Sequence, residues 1–167
     1  MTIAQSLLGE WDQEVANTKK MLAAVPDAQE NWKPHEKSMS MGRLAAHIAE
    51  LPEWAGVTVT TSELDLNPPG GEGYKPAVFG SSAANVAAFE TKAQAARAAI
   101  AGASDEEFMK PWTLKSAGQV IFTLPKIAVM RSFVVSHISH HRAQLSVYLR
   151  LHSVPVPGMY GPSADEM

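Results

Sequence analysis

Apolar residues recur every three or four positions in four stretches of the chain, which is the spacing of an amphipathic helix. The first stretch follows Thr2, a potential N-cap, and ends before Pro26. The second begins near Met41, where Ser38 or Ser40 can cap it. These two stretches predict two helices that are joined by a polar loop.

Further stop and start signals divide the rest of the chain. Pro52 lies inside the second stretch and lacks an amide hydrogen, so we expect a kink or a break there. An alanine-rich third helix follows a serine cap and should end near Gly102. Ser104 and Glu107 have the spacing of a capping box, which predicts one short helical turn. Pro125 suits the first turn of a long last helix.

The segments between these helices differ in character. Residues 62–80 are rich in proline and glycine and indicate a long connection. Two β-prone runs, residues 112–114 and 120–122, flank Ser-Ala-Gly and indicate a small β-hairpin. The pattern predicts an all-α fold, an antiparallel four-helix bundle with one long crossover loop and a possible small hairpin before the last helix. At 167 residues and 18.0 kDa, we expect a single domain over residues 1–167.

The composition of the chain limits which metal ligands, nucleophiles and partners it can have. The chain has no cysteine, so a metal would need nitrogen or oxygen ligands, and no protein thiol can act as a nucleophile. The net charge of -3 and the absence of a basic run argue against nucleic acid as a partner. No apolar stretch approaches the roughly 20 residues that cross a bilayer, and the N-terminus does not resemble a signal peptide. We therefore expect a cytoplasmic protein with no membrane partner.

Two histidines lie on the predicted core-facing side of the last helix. That stripe contains Ile127, Met130, Val134, His137, His141, Leu145 and Tyr148. The opposite face contains Arg131, Ser139, Arg142, Ser146 and Arg150. The HxxxH spacing lets both imidazoles reach one metal ion, although two core histidines bonded to neighbours would show the same spacing.

A third histidine favours the interpretation of this pair as part of a metal site. His47 lies on the apolar face of the second helix, flanked by Leu44 and Leu51. Three imidazoles that meet in a core each need partners for two ring nitrogens, and one shared ion would satisfy all three. His35, in a polar loop, and His152, at a helix end, are expected to be solvated.

Several neighbours are candidates for supporting roles. His140 forms a competing pair with His137 but falls to the flank of the helix. Glu50 could orient an imidazole or act as a base, although a solvated helix glutamate is the more common case. Gln144 could bond a ligand or line the core. Trp54 and Tyr148 could border an open metal position or pack in the core.

The sequence also resembles a known family. The segments SHISHHRAQL, LAAHIAELPEW and YGPSADE are similar to those of the DinB (DinB/YfiT-like) family of small metalloproteins, over essentially the whole chain. The resemblance implies a four-helix bundle, frequently a homodimer, and a nickel or zinc site at His47, His137 and His141. Ala143 stands where many members have glycine. Some relatives use a low-molecular-weight thiol, and many have no assigned reaction.

The expected chemistry follows from the ligand set. Three neutral imidazoles leave a divalent ion near its full charge with an open position, as in catalytic sites. Such an ion can activate water or deprotonate a thiol, and a thiol would have to arrive as a cosubstrate. The first hypothesis is thus a metal-dependent enzyme that transfers a small thiol. The alternatives are a metal-dependent hydrolase and a non-catalytic protein that binds metal or responds to stress.

Overall fold

The structure, a computed structural model, describes residues 1–167 and is mostly helical with one small β-sheet. Its helices are α1 (Ile3–Ala23), α2 (Met41–Thr60), α3 (Ser82–Gly102), α4 (Asp105–Met109), α5 (Lys126–Val129) and α6 (Ser136–Leu151), with a π-helical stretch (Met130–Val135) between the last two. Its strands are β1 (Glu63–Asp65), β2 (Pro111–Ser116) and β3 (Gln119–Pro125). None of the helices has the length and hydropathy needed to span a membrane.

Side-chain caps explain where the helices begin. Thr2 and Gln5 form a reciprocal capping box at the start of α1. Ser40, rather than Ser38, caps α2 by accepting the amide hydrogen of Arg43. Ser104 caps α4 by accepting the amide hydrogen of Glu107, but the Glu107 carboxylate pairs with Lys110 and Lys126 and does not complete the predicted capping box. These bonds satisfy amide groups that otherwise lack a partner inside the helix.

Two helical features differ from the sequence-based expectation. α2 continues through Pro52, which excludes the break, one of the two outcomes expected there. The last helical segment runs from Lys126 to Leu151 as predicted, but its six-residue π-helical stretch was not predicted. Such stretches are frequent at functional sites and leave no periodic signature in the sequence. This one ends immediately before the helix that carries His137.

The predicted hairpin is present and extends beyond its two β-prone runs. β2 and β3 pair antiparallel, and Ala117 and Gly118 turn between them with positive φ angles of 51° and 77°. The third strand, β1, lies parallel to β2 and belongs to the long connection that the sequence indicated only as a loop. β1 has only three residues, which are too few for the sequence to show the alternation of apolar and polar side chains that indicates a strand.

The long helices share one core of 26 buried hydrophobic residues. α3 packs against both α1 and α2, and α6 packs against the same two helices from the other side. The α2–α6 contact brings the histidine-bearing faces together. A separate small core forms where Trp112 and Leu114 of the sheet meet Val129.

The C-terminal tail changes the environment of one residue in particular. Arg142 was predicted on the solvent face of the last helix, but it is only 3% exposed. Its guanidinium lies 2.7 Å from a carboxylate oxygen of Glu14 and donates to Thr18 and to the hydroxyl of Tyr160, at 3.0 and 2.6 Å. Because Tyr160 belongs to the tail that folds back over α1 and α6, the helix pattern alone could not indicate this burial.

Candidate metal centre

The three predicted ligands meet at the contact between α2 and α6. The Nε2 atom of His137 lies 3.4 Å from that of His47 and 2.9 Å from that of His141. All three candidate ligand atoms are within 4.8 Å of one another, and no fourth histidine or carboxylate joins the group. Helical spacing brings His137 and His141 together, and the packing of α2 supplies His47.

The other ring nitrogen of each histidine faces an oxygen. The Nδ1 of His47 lies 2.6 Å from Glu50 Oε1, that of His137 lies 3.2 Å from the Phe133 carbonyl, and that of His141 lies 2.8 Å from Gln144 Oε1. A carboxylate, a carbonyl and an amide oxygen can only accept. Each Nδ1 is therefore the donor, and each Nε2 presents a lone pair to the centre of the group.

This arrangement fits a metal ion. Imidazole nitrogens about 2.0–2.1 Å from a metal lie roughly 2.8–3.0 Å apart in octahedral geometry and roughly 3.3–3.4 Å apart in tetrahedral geometry. The two short separations, 2.9 and 3.4 Å, fall within these values. Three neutral imidazoles with their lone pairs directed at one another have no proton to share, so they repel unless a cation lies between them. Bonds from Nδ1 to outer acceptors are also the usual support of histidine ligands.

The protonation state of the pair on α6 favours binding of a cation. Burial, together with the neighbouring imidazoles, lowers the pKa of His141 to about 4, although the hydrogen bond that His141 donates to Gln144 acts to raise it. Burial and the proximity of His47 also lower the pKa of His137. Both imidazoles are therefore neutral near pH 7, which is the form that ligates metals.

Glu50 is the most connected residue of the site. It also accepts a hydrogen bond from the hydroxyl of Tyr74 and one from the Ala77 amide at 2.9 Å. Burial acts to raise its pKa, but the bonds from His47, Tyr74 and Ala77 lower it to about 2. The carboxylate therefore stays ionised, orients His47 and is poorly suited to act as a base.

That finding corrects the preferred sequence-based interpretation, in which Glu50 is solvated. Its exposed fraction is only 4% because residues 73–79, an irregular segment that we call the strap, cross over α2 at this point. Tyr74 and Ala77 of the strap were not among the predicted site residues. They lie in a proline- and glycine-rich connection with no periodicity, so only the bonding partner in α2 could have indicated them.

The remaining candidates lie at different distances from the centre. His140 is exposed, with its ring centroid 4.9 Å from that of His141, and it is not part of the ligand group. Trp54 packs between Phe133 and Tyr74. It lies beside the histidines rather than among them.

Three other predicted residues lie outside the group of ligand atoms. Tyr148 is buried against Trp32, and its hydroxyl donates to the carbonyl of Met39. His35 is exposed, as predicted. His152 packs edge-on against Trp32 at 4.4 Å between ring centroids, so the expectation that it is solvated was wrong.

Comparison with known proteins identifies the family to which the chain is similar. Residues 1–167 match the sequence profile of the DinB family. The chain is 25% identical over 162 residues to the uncharacterized protein YrdA of Bacillus subtilis (strain 168), an alignment that covers 95% of this chain and 89% of YrdA. The match therefore extends over the whole chain.

Two crystal structures of DinB-like proteins have the same fold. The one from Bacillus cereus ATCC 10987 superposes with a TM-score of 0.70 at 22% identity, covering 93% of this chain and 97% of the other. YjoA from Bacillus subtilis superposes with a TM-score of 0.65 at 16% identity, covering 92% and 97%. At these identities the likeness concerns the fold.

Proposed function

Because the chain belongs to the DinB family, we propose that His47, His137 and His141 bind one nickel or zinc ion, and that the protein is a metal-dependent enzyme that uses a small thiol cosubstrate. The observation that carries the metal site is the set of three Nε2 lone pairs that converge with every Nδ1 proton already donated outward. In this proposal the four long helical segments are the helices of an antiparallel bundle. The family resemblance adds a homodimer, which sedimentation velocity would test.

An enzyme is favoured over a purely structural site by the ligand count and by exposure. Only three protein ligands are available, whereas structural zinc sites are usually closed by four. The side chain of His47 is 12% exposed, so the group is not sealed from solvent. In this proposal a small molecule approaches the group from this partly exposed side.

The choice of a thiol rests on the composition of the chain. A divalent ion held by three neutral imidazoles supplies a positive charge that favours the deprotonated form of a thiol or of water. With no cysteine of its own, the protein must take a sulfur nucleophile from solution. In the proposed reaction, the thiol sulfur forms a bond to an electrophilic carbon, the leaving group departs from that carbon, and the thiol proton passes to solvent.

The residues of the chain have defined tasks in this scheme. Glu50 and Gln144 hold the imidazoles of His47 and His141 in the orientation that presents Nε2. The carbonyl of Phe133, in the π-helical stretch, does the same for His137. No side chain needs to gain or lose a proton for the thiol to be activated.

The proposal is tested by thiol transfer in protein reconstituted with nickel or zinc. Cysteine, cysteamine and 2-mercaptoethanol would be combined with 1-chloro-2,4-dinitrobenzene, which releases chloride as the thioether forms. We expect metal-dependent turnover that is lost in His137→Ala and retained in His35→Ala, a variant of an exposed histidine. Metal-loaded protein that accelerates none of these reactions would contradict the thiol-transfer proposal, and hydrolysis of 4-nitrophenyl acetate without thiol would favour a hydrolase.

A further inference from the structure

A pocket of about 420 Å³ lies beside the metal centre, between α2, β1 and the strap. Its apolar wall contains Trp54, Val57, Leu64, Leu66 and Tyr74. None of the three histidines lines it, and Glu50, which does line it, is bonded to His47. The pocket is within the size range of small-molecule sites and is separate from the ligand nitrogens.

Two aromatic rings give the pocket a defined face. The ring centroids of Trp54 and Tyr74 are 5.9 Å apart, and the ring planes meet at 72°. The hydroxyl of Tyr74 is bonded to Glu50, and Trp54 packs against Phe133, so both rings are held in place. The faces of aromatic rings attract organic cations, and tryptophan attracts them most strongly.

The charged groups in the lining favour the same ligand. Four carboxylates, those of Glu50, Glu53, Asp65 and Glu72, line the pocket together with the two ammonium groups of Lys75 and Lys92. Both ammonium groups are already paired, Lys92 with Glu53 at 2.8 Å and Lys75 with Glu72 at 2.7 Å. The four carboxylates and two ammonium groups of the lining therefore have a net formal charge of -2.

The two remaining carboxylates meet mainly uncharged donors. Asp65 accepts from the backbone amides of Asn67 and Gly118. Glu50 accepts from His47, Tyr74 and Ala77, and the nearest guanidinium nitrogen, of Arg43, is 3.5 Å from it and outside the lining. An anionic ligand would have to break an existing lysine pair, whereas a cation would meet a lining of net negative charge.

We propose that this pocket binds a small organic cation, an ammonium group on an apolar body, with the body against Trp54 and Tyr74 and the ammonium group directed to the carboxylates. The proposal concerns a second site of the molecule and does not depend on metal binding by the histidines. It assigns to the strap a role in recognition, because Tyr74 forms part of the wall.

The probes for the test are three ligands of similar size and different charge. 2-Phenylethylamine is the cation, 2-phenylethanol the neutral analogue and 3-phenylpropionate the anion. Titration of ¹⁵N-labelled protein would follow the indole resonance of Trp54 and the amide resonance of Ala77. We expect the amine to shift both resonances and to bind at least about fivefold more tightly than the alcohol, with the anion weakest.

Variants separate recognition in the pocket from non-specific attraction. Trp54→Leu should weaken binding of the amine, and the double variant Glu53→Gln with Glu72→Gln should remove its advantage over the alcohol. Both glutamates are exposed, so this double variant should fold even if Trp54→Leu does not. Glu36→Gln, an exposed carboxylate outside the pocket, is the matched control and should leave the preference intact.

The outcomes are decisive in either direction. Equal affinities for amine and alcohol, tighter binding of the anion, or shifts confined to other parts of the chain would overturn the proposal. The titrations are repeated in the presence of a chelator and in the presence of zinc. Amine binding in protein that takes up no zinc would refute the proposed metal site alone, whereas zinc uptake without amine binding would refute the pocket alone.

Discussion

One carboxylate oxygen of Glu50 lies 2.6 Å from the Nδ1 atom of His47, three residues earlier on the same helix. The other oxygen of Glu50 accepts the amide hydrogen of Ala77, in the strap. A single buried carboxylate thus connects a candidate metal ligand to the strap. Its ionised state follows from the donors that surround it, which lower its pKa to about 2 despite burial.

Replacement of Glu50 by glutamine should weaken metal binding. The amide oxygen can still accept from His47, but the amide NH₂ group would then face the Ala77 amide, a second donor, and the negative charge that strengthens the imidazole as a ligand is lost. We expect a loss of about 10–100-fold in zinc affinity, measured by competition with a chelator. Glu53→Gln, one turn further along α2, should bind zinc like the parent. Unchanged affinity in Glu50→Gln would remove the supporting role from this residue.

Gln144 permits a paired test at His141. Gln144→Ala removes the acceptor of the His141 Nδ1 proton and should lower zinc affinity, by up to about tenfold because this residue is exposed. Gln144→Glu supplies a charged acceptor at the same place and should raise the affinity above that of the parent. Calorimetric titration of both variants would check the order, and a lower affinity in Gln144→Glu than in Gln144→Ala would show that the bond does not support the ligand.

Arg142 should stabilise the fold rather than the metal. Arg142→Met leaves the carboxylate of Glu14 buried without its guanidinium partner, which we expect to reduce the free energy of unfolding by about 3–5 kcal/mol in urea denaturation. Arg131→Met breaks an exposed pair with Glu10 and should cost no more than about 1 kcal/mol. Similar losses in the two variants would mean that the buried network with Tyr160 contributes little.

Acid should remove the stabilisation that the ion pairs of Glu107 with Lys110 and Lys126 provide. Bonds from Lys110 and Lys126 lower the pKa of Glu107 from 4.5 to about 2. Since the folded pKa lies below the unfolded one, the stabilisation is complete above about pH 4.5 and is lost as the pH falls toward 2. The Tm of the parent should exceed that of Glu107→Gln at pH 6, and the difference should shrink between pH 4.5 and 2.5. A difference that stays constant, or an equal trend in Glu36→Gln, would exclude this cause.

The convergence of the histidines could be anticipated from the sequence, because it depends on regular helices. His137 and His141 are one turn apart, and His47 lies on an apolar face that had to pack against another helix. The hairpin could also be anticipated, because two β-prone runs flank a turn sequence. Both features depend on the regular spacing of residues within short segments, which can be read directly from the sequence.

The surroundings of the site could not be anticipated, because segments without periodicity determine them. Glu50 is buried by the strap, and Arg142 is buried by the tail that carries Tyr160. The π-helical stretch that supplies the Phe133 carbonyl adds one residue to a turn without changing the composition of the helix. In each case a polar residue on a helix acquires its role from a distant irregular segment.

The central claim is tested most directly by the metal content of protein purified without an affinity tag, measured by mass spectrometry. The comparison is the triple variant His47→Ala, His137→Ala, His141→Ala, with its fold checked by circular dichroism. We predict near one equivalent of nickel or zinc in the parent and almost none in the folded variant. A parent that binds neither metal after reconstitution, or a variant that retains an equivalent, would contradict the three-histidine site.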